Sequence, residues 1–148
     1  MNRGGGKFFR TIVSIPRTTG LAAECLLALA CARIALRLAP QRALRGALDG
    51  EASAAPADPR VVAAFARAAA RAPFAHNCMH RSLALQRVLA RRGVRARLRI
   101  GLGAKPSLLP GHAWLEVNGA VVNDSAELVS RYQPIHIAEQ GLALAYRR

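Results

Sequence analysis

The sequence predicts an α+β fold, with helices first and an antiparallel sheet late in the chain. Three observations carry that prediction. Helix starts and stops punctuate residues 19–93. Val94, Ala96, Leu98, Ile100 and Leu102 then alternate with Arg95, Arg97 and Arg99, the mark of a half-buried strand. Finally, "GHAWLEVNGAVVNDS" at 111–125 reads as a hairpin pivoting on Asn118-Gly119. At 148 residues the chain is long enough for one ordinary core, and a second full domain would be a squeeze. Apolar residues make up 52% and argue for a folded protein, although much of that share is alanine, which buries little area per residue.

Residues 1–17 contain three consecutive glycines and no pattern, and are expected to form a flexible arm. Helices are expected at about 19–38 and 41–48. The first of these imitates a signal peptide: Arg3, Lys7, Arg10 and Arg17 precede an apolar run from Leu21 to Ala32, and Ala30-Cys31-Ala32 mimics a cleavage site. Glu24 inside the run argues against secretion, as does the pattern continuing through Arg33, Ile34, Leu36, Arg37 and Leu38. The same charges make a poor membrane span over the roughly 20 residues a bilayer requires. An amphipathic soluble helix ending near Pro40 fits better, and membrane association is not expected.

Asp49 to Pro59, rich in Gly, Ser, Ala, Asp and Pro, reads as a linker. Asp58-Pro59 then starts a helix as N-cap and first-turn proline, and Pro73 stops it after Arg71. Asn77 is a favourable cap for the next helix, and Gly93 after Arg91-Arg92 a good stop. After the strand a loop reaches Pro110, the hairpin follows, and a last short strand is expected near Tyr132 to Ile137. There are no internal repeats. The chain thus divides into the arm 1–17, a helical region with linker at 18–57, and a core at 58–148.

The net charge of +14 favours acidic partners, but arginine is spread along almost every helix and one strand. That spread is equally explained by a compositional bias with solvated arginine faces. Aromatics at 5%, no zinc-finger spacing and no recognition helix argue against a nucleic-acid partner. Three cysteines, Cys25, Cys31 and Cys78, form no disulfide framework and point to free thiols in a reducing cytoplasm. Cys25 and Cys31 read as small buried residues.

Cys78 is the residue that matters for chemistry. Behind an Asn77 cap it occupies the first helical turn, where unsatisfied N–H groups and the positive end of the helix dipole favour a thiolate. It shares a face with Ser82, Leu85 and Leu89, so the sulfur points toward the protein body. The hairpin offers a base and its orienter, His112 and Asp124. A two-residue turn would put Ala113 opposite Asp124, with the histidine and aspartate side chains on opposite faces. A three-residue loop, Val117-Asn118-Gly119, would pair His112 with Asp124 instead. A working Cys78–His112–Asp124 triad therefore predicts an odd loop or a bulge in the ladder. The Cys78 backbone N–H is a candidate oxyanion donor, with the Asn77 side chain a second.

Each residue taken singly has a plainer reading. Cys78 alone is more often a small packing residue, His112 a satisfied strand histidine, and Asp124-Ser125 a cap for a following turn. His76-x-Cys78-x-His80 does not aim alternate residues of a helix start at one ion, so no metal is expected. His76, His80 and His136 read as surface or packing residues.

Together, "CMHRSLALQRVLARRGV" followed by a strand and then "GHAWLEVNGAVVNDS" resemble the transglutaminase-like cysteine protease of lasso peptide biosynthesis, the leader peptidase or B protein. The likeness covers about residues 19–137, including the helices ending near Pro40 and Pro73. Met79-His80 stand where the family has a more apolar pair. The resemblance implies a transglutaminase/papain-like core with the cysteine at a helix N-terminus packed on a small antiparallel sheet. It implies a Cys78–His112–Asp124 triad, with no cofactor, cutting a leader from a ribosomally made precursor peptide. It also implies partners: a separate leader-recognition protein, because the chain looks like the split form, and an ATP-dependent macrolactam cyclase. Two other readings stand beside this one: amide transfer by the same triad, and a catalytically silent scaffold whose helices dock partners.

Overall fold

The computed structural model describes residues 20–48, 55–75, 77–103 and 111–135. The expected arm at 1–17, the linker from Asp49 to Ala54, His76, His136 and the end of the last expected strand lie outside the described residues.

Helix α1, Leu21–Leu38, buries Cys25, Ala28, Leu29, Ala32, Ala35 and Leu36, a stripe at helical spacing. Helices α2, Pro40–Leu48, and α3, Pro59–Arg71, follow. Asp58 caps α3 as expected, accepting the Arg60 N–H at 2.8 Å, with Pro59 at the first helical position. Helix α4, Cys78–Ala90, packs against both α1 and α3. No helix among the described residues is long and apolar enough to cross a membrane.

Glu24, the charge inside the apolar run of α1, is only 5% exposed. It is paired, with Arg91 Nε at 2.8 Å and Arg92 Nη2 at 2.8 Å. The Arg92 hydrogen bond, aided by both guanidinium charges, outweighs burial and holds the Glu24 carboxyl below its usual range. The pair ties α1 to the C-terminal end of α4.

That end closes as a Schellman motif. Val94 N–H reaches Leu89 O at 3.1 Å, Gly93 N–H reaches Ala90 O at 3.1 Å, and Gly93 takes φ +76°. Val94 and Leu89 are both buried, the hydrophobic contact that accompanies such a cap. Residues 94–96 follow this turn outside the sheet, and strand β1 begins at Arg97 and runs to Gly103, later than the alternation from Val94 suggests.

Strands β2, His112–Val117, β3, Ala120–Val121, and β4, Tyr132–Pro134, complete an antiparallel sheet in the order β3-β2-β1-β4. Leu98 of β1 and Ala113, Leu115 and Val117 of β2 join Leu83, Leu85, Val88 and Leu89 of α4 in one hydrophobic core, which continues into α1, α2 and α3. The α+β class with helices ahead of a small antiparallel sheet is therefore the fold observed. Between β3 and β4 lies a one-turn helix the sequence reading did not place, α5, Ala126–Val129, capped by Ser125 Oγ on Leu128 N–H at 3.1 Å.

The hairpin turn decides between the two loop lengths. Val117 pairs with Ala120 and Glu116 with Val121, so the loop has two residues, not three. Asn118 at φ 51° and Gly119 at φ 80° both occupy the left-handed region, as a type I′ turn requires. Asn-Gly suits that turn, and its twist matches the flanking strands better than a longer loop.

Candidate active site

Cys78 opens α4 and is partly buried against the core. Its place at the helix start is enforced by Asn77, whose Oδ1 accepts the Met79 N–H at 2.8 Å and the His80 N–H at 3.4 Å. Arg81 N–H bonds the Asn77 carbonyl at 3.0 Å. Of the N–H groups in the first helical turn before Arg81, those of Met79 and His80 are taken by the cap, and that of Cys78 has no partner among the described residues. The expected cap is thus present, and it leaves one backbone donor free beside the sulfur. The Asn77 side-chain oxygen is used by the cap, which leaves its NH₂ group as the donor it can offer.

His80 does not share the site. It is 4% exposed and turned toward α1, where its Nε2–H donates to the Leu29 carbonyl. It is a packing residue, as expected. Arg33 of α1 also reaches this loop, donating to the Phe74 carbonyl at 3.2 Å with its guanidinium 5.7 Å from the Phe74 ring centroid.

His112 begins β2, and its Nε2 lies 2.7 Å from Asp124 Oδ2. A carboxylate accepts, so Nε2–H donates to Asp124, and Nδ1 has no hydrogen bond among the described residues. The other Asp124 oxygen accepts the Ser125 N–H at 3.2 Å. Both side chains are shielded, at 16% and 21% exposure.

This pairing arises in spite of the two-residue turn. Val122 N–H still bonds the Leu115 carbonyl at 3.0 Å, but the Leu115 N–H is taken by Asn123 Oδ1 at 2.7 Å. The ladder is broken by a side chain, the chain bends through Val122–Asp124, and Asp124 swings to His112. Asn123 Nδ2 also donates to Ser82 Oγ at 2.9 Å, and Ser82 Oγ donates to the Ala113 carbonyl at 3.1 Å. Ser82 is fully buried, one turn along α4 from Cys78. These bonds link the helix bearing the cysteine, the strand bearing the histidine and the segment bearing the aspartate. Sequence reading placed Ser82 on the Cys78 face but assigned nothing to Asn123, since a polar residue before Asp-Ser looks like any turn residue.

Two rings flank the imidazole. Tyr132 of β4 lies 5.0 Å from His112 between centroids, and Trp114 lies 6.2 Å away, near parallel at 22°. Trp114 Nε1–H donates to Glu116 Oε1 at 3.0 Å, and Arg99 Nε donates to Glu116 Oε2 at 2.9 Å. Arg99 is therefore an ion-paired support for the tryptophan and not part of a solvated arginine face. Gly101, opposite His112 in the ladder, makes room for the rings: a Cβ there would lie 2.9 Å from Trp114 Cη2 and Cζ3 and from Tyr132 Cβ.

Cys78, His112 and Asp124 line one cleft of about 580 Å³, together with Asn77, Arg81, Asn123 and Tyr132. A thiol at a helix start, an imidazole with one nitrogen tied to a carboxylate and the other free, and an unpaired N–H beside the sulfur are the parts that acyl transfer requires.

The sequence and fold match a known class. The family model of the transglutaminase-like superfamily covers residues 25–136, and the chain belongs to that superfamily, which includes cysteine peptidases and transglutaminases. The matched span begins within α1 and ends just past β4, so the helices and the sheet both fall inside it. No curated protein matches the chain, and no solved structure does.

Proposed function

We propose that the chain is a cysteine endopeptidase that removes the leader from a ribosomally made precursor in lasso peptide biosynthesis. Cys78 is the nucleophile, His112 the general base and acid, and Asp124 the group that orients the imidazole. The observation that carries the catalytic part is the convergence of these residues on one cleft, with His112 Nε2 held by Asp124. The pathway rests on the resemblance of the Cys78–Leu85 and Gly111–Gly119 stretches to the leader peptidases.

In this reaction the thiol proton moves to His112 Nδ1 and the sulfur attacks the scissile carbonyl. The Cys78 N–H stabilises the oxyanion that forms. Collapse breaks the C–N bond, the imidazolium returns its proton to the leaving amine, and an acyl-thioester remains. Water, deprotonated by His112, then releases the leader carboxylate and regenerates the thiol. No cofactor enters any step. The partners in this reading are the precursor peptide, a separate leader-recognition protein and an ATP-dependent cyclase that receives the freed core, all in the cytoplasm.

Mass spectrometry of the precursor incubated with this protein and the recognition protein tests the proposal. Cleavage at one leader–core bond, absent with Cys78→Ala, is the expected result. An intact precursor in both reactions, with the leader bound and all components folded, overturns it in favour of a silent scaffold. A leader joined to an added amine, in place of a free carboxylate, would indicate amide transfer.

A further inference from the structure

Arg81 follows Cys78 by three residues on α4, a spacing that puts two side chains on one helix face about 5–6 Å apart at Cβ. It is exposed, and among the described residues its guanidinium has no hydrogen bond or ion pair. Arg33, Arg92, Arg99 and Arg131, by contrast, all donate to named acceptors. Asp124, which lines the same cleft, accepts hydrogen bonds from other groups at both oxygens. Arg81 lines the cleft with Cys78 and His112, and it also lines a smaller pocket of about 100 Å³ walled by Val62, Phe65, Leu85 and Val122. It thus borders both the cleft that holds the Cys78 sulfur and an apolar recess.

We infer that Arg81 is a specificity residue that pairs with an acidic side chain of the substrate flanking the attacked bond, while a neighbouring apolar group fills the recess. The inference rests on the thiol-protease reading above. An endopeptidase substrate continues on both sides of the bond, so a carboxylate at this distance comes from an aspartate or glutamate side chain and not from a chain end. An unpaired guanidinium in a partly enclosed cleft has the fork geometry and the lasting charge to read that group.

The alkylation of Cys78, followed by intact-mass spectrometry, tests this without a known substrate. Iodoacetate and iodoacetamide differ in charge but hardly in size, and in both the sulfur displaces iodide. The expected result is a rate ratio favouring iodoacetate that falls about three- to ten-fold in Arg81→Gln, the effect of one unit charge near 6 Å in a largely aqueous setting. Arg67→Gln removes the same charge from the exposed face of α3 and is expected to retain the ratio. Chloromethyl ketones of Ala-Ala-Asp and Ala-Ala-Asn form the second arm, with the aspartyl reagent expected to lose its advantage in Arg81→Gln. A folded Arg81→Gln variant with an unchanged ratio overturns this inference and leaves the protease reading standing. Selectivity for iodoacetate without selectivity for the aspartyl reagent overturns the side-chain assignment. A native Cys78 inert to every reagent removes both readings together.

Discussion

His112 and Asp124 share a 2.7 Å hydrogen bond although the two-residue turn, extended along the hairpin, would set Ala113 opposite Asp124. The contact exists because Asn123 ends the ladder. Its carboxamide oxygen takes the Leu115 N–H that the opposite strand would otherwise bond, and its NH₂ group holds Ser82 of α4.

Asn123 is therefore expected to act as a positioning residue. Asn123→Ala removes both bonds and leaves the Leu115 N–H without an acceptor in the interior. A loss of about 1–3 kcal/mol in urea unfolding is expected for an unsatisfied buried group. Precursor cleavage should fall further than stability alone explains, because Asp124 loses its anchor. Asn123→Asp keeps an acceptor for Leu115 and should recover much of the stability. A cleavage rate unchanged in folded Asn123→Ala would show that Asp124 reaches His112 without this support.

Gly101 is expected to tolerate no side chain at low cost. An alanine Cβ would meet Trp114 and Tyr132 at 2.9 Å, closer than carbon atoms pack. The Trp114 ring and the Tyr132 Cβ, and with it strand β4, must shift, at an expected cost of about 1–3 kcal/mol for overpacking. The rings of both residues flank His112, so Gly101→Ala should lower both the melting temperature and the cleavage rate. A melting temperature equal to the parent's would show that the Trp114 ring and strand β4 can yield freely.

Acid should weaken the attachment of α1 to α4. Glu24 has a folded-state pKa below its unfolded value, so its contribution is fully present above the unfolded carboxylate range. It is lost as pH falls through the lower folded value, because the unfolded chain then binds more protons than the folded one. Urea midpoints measured from pH 7 down to pH 3 should decline, and Glu24→Gln should flatten the decline. At pH 7 the substitution is expected to cost about 1–2 kcal/mol, since the carboxylate is buried but both arginines remain roughly a third exposed. Identical pH slopes for the parent and Glu24→Gln would assign the acid sensitivity to other carboxylates.

Much of this protein is legible in its sequence. Asp58-Pro59, Asn77 and Gly93 mark helix ends by local chemistry, a cap oxygen, a missing N–H and a left-handed φ, so they read correctly from the chain alone. The Asn118-Gly119 hairpin was legible for the same reason, yet its loop length was not. Function argued for an odd loop or a disturbed ladder; backbone twist selected the two-residue turn, and the ladder breaks beyond it. The break that reconciles turn and site is made by a side chain whose partners lie eight residues away on β2 and 41 away on α4.

Helix boundaries, the order of helices before sheet, and the residue types able to perform thiol chemistry were all written in the local pattern of the chain. These follow from contacts a few residues apart. Tertiary structure alone decided that Asp124 meets His112, that Glu24 and Arg99 are paired, and that Arg81 faces the cleft unpaired. Each of these depends on where a distant segment comes to rest. That is set by the shared burial of α1, α4 and the sheet, which no local pattern encodes.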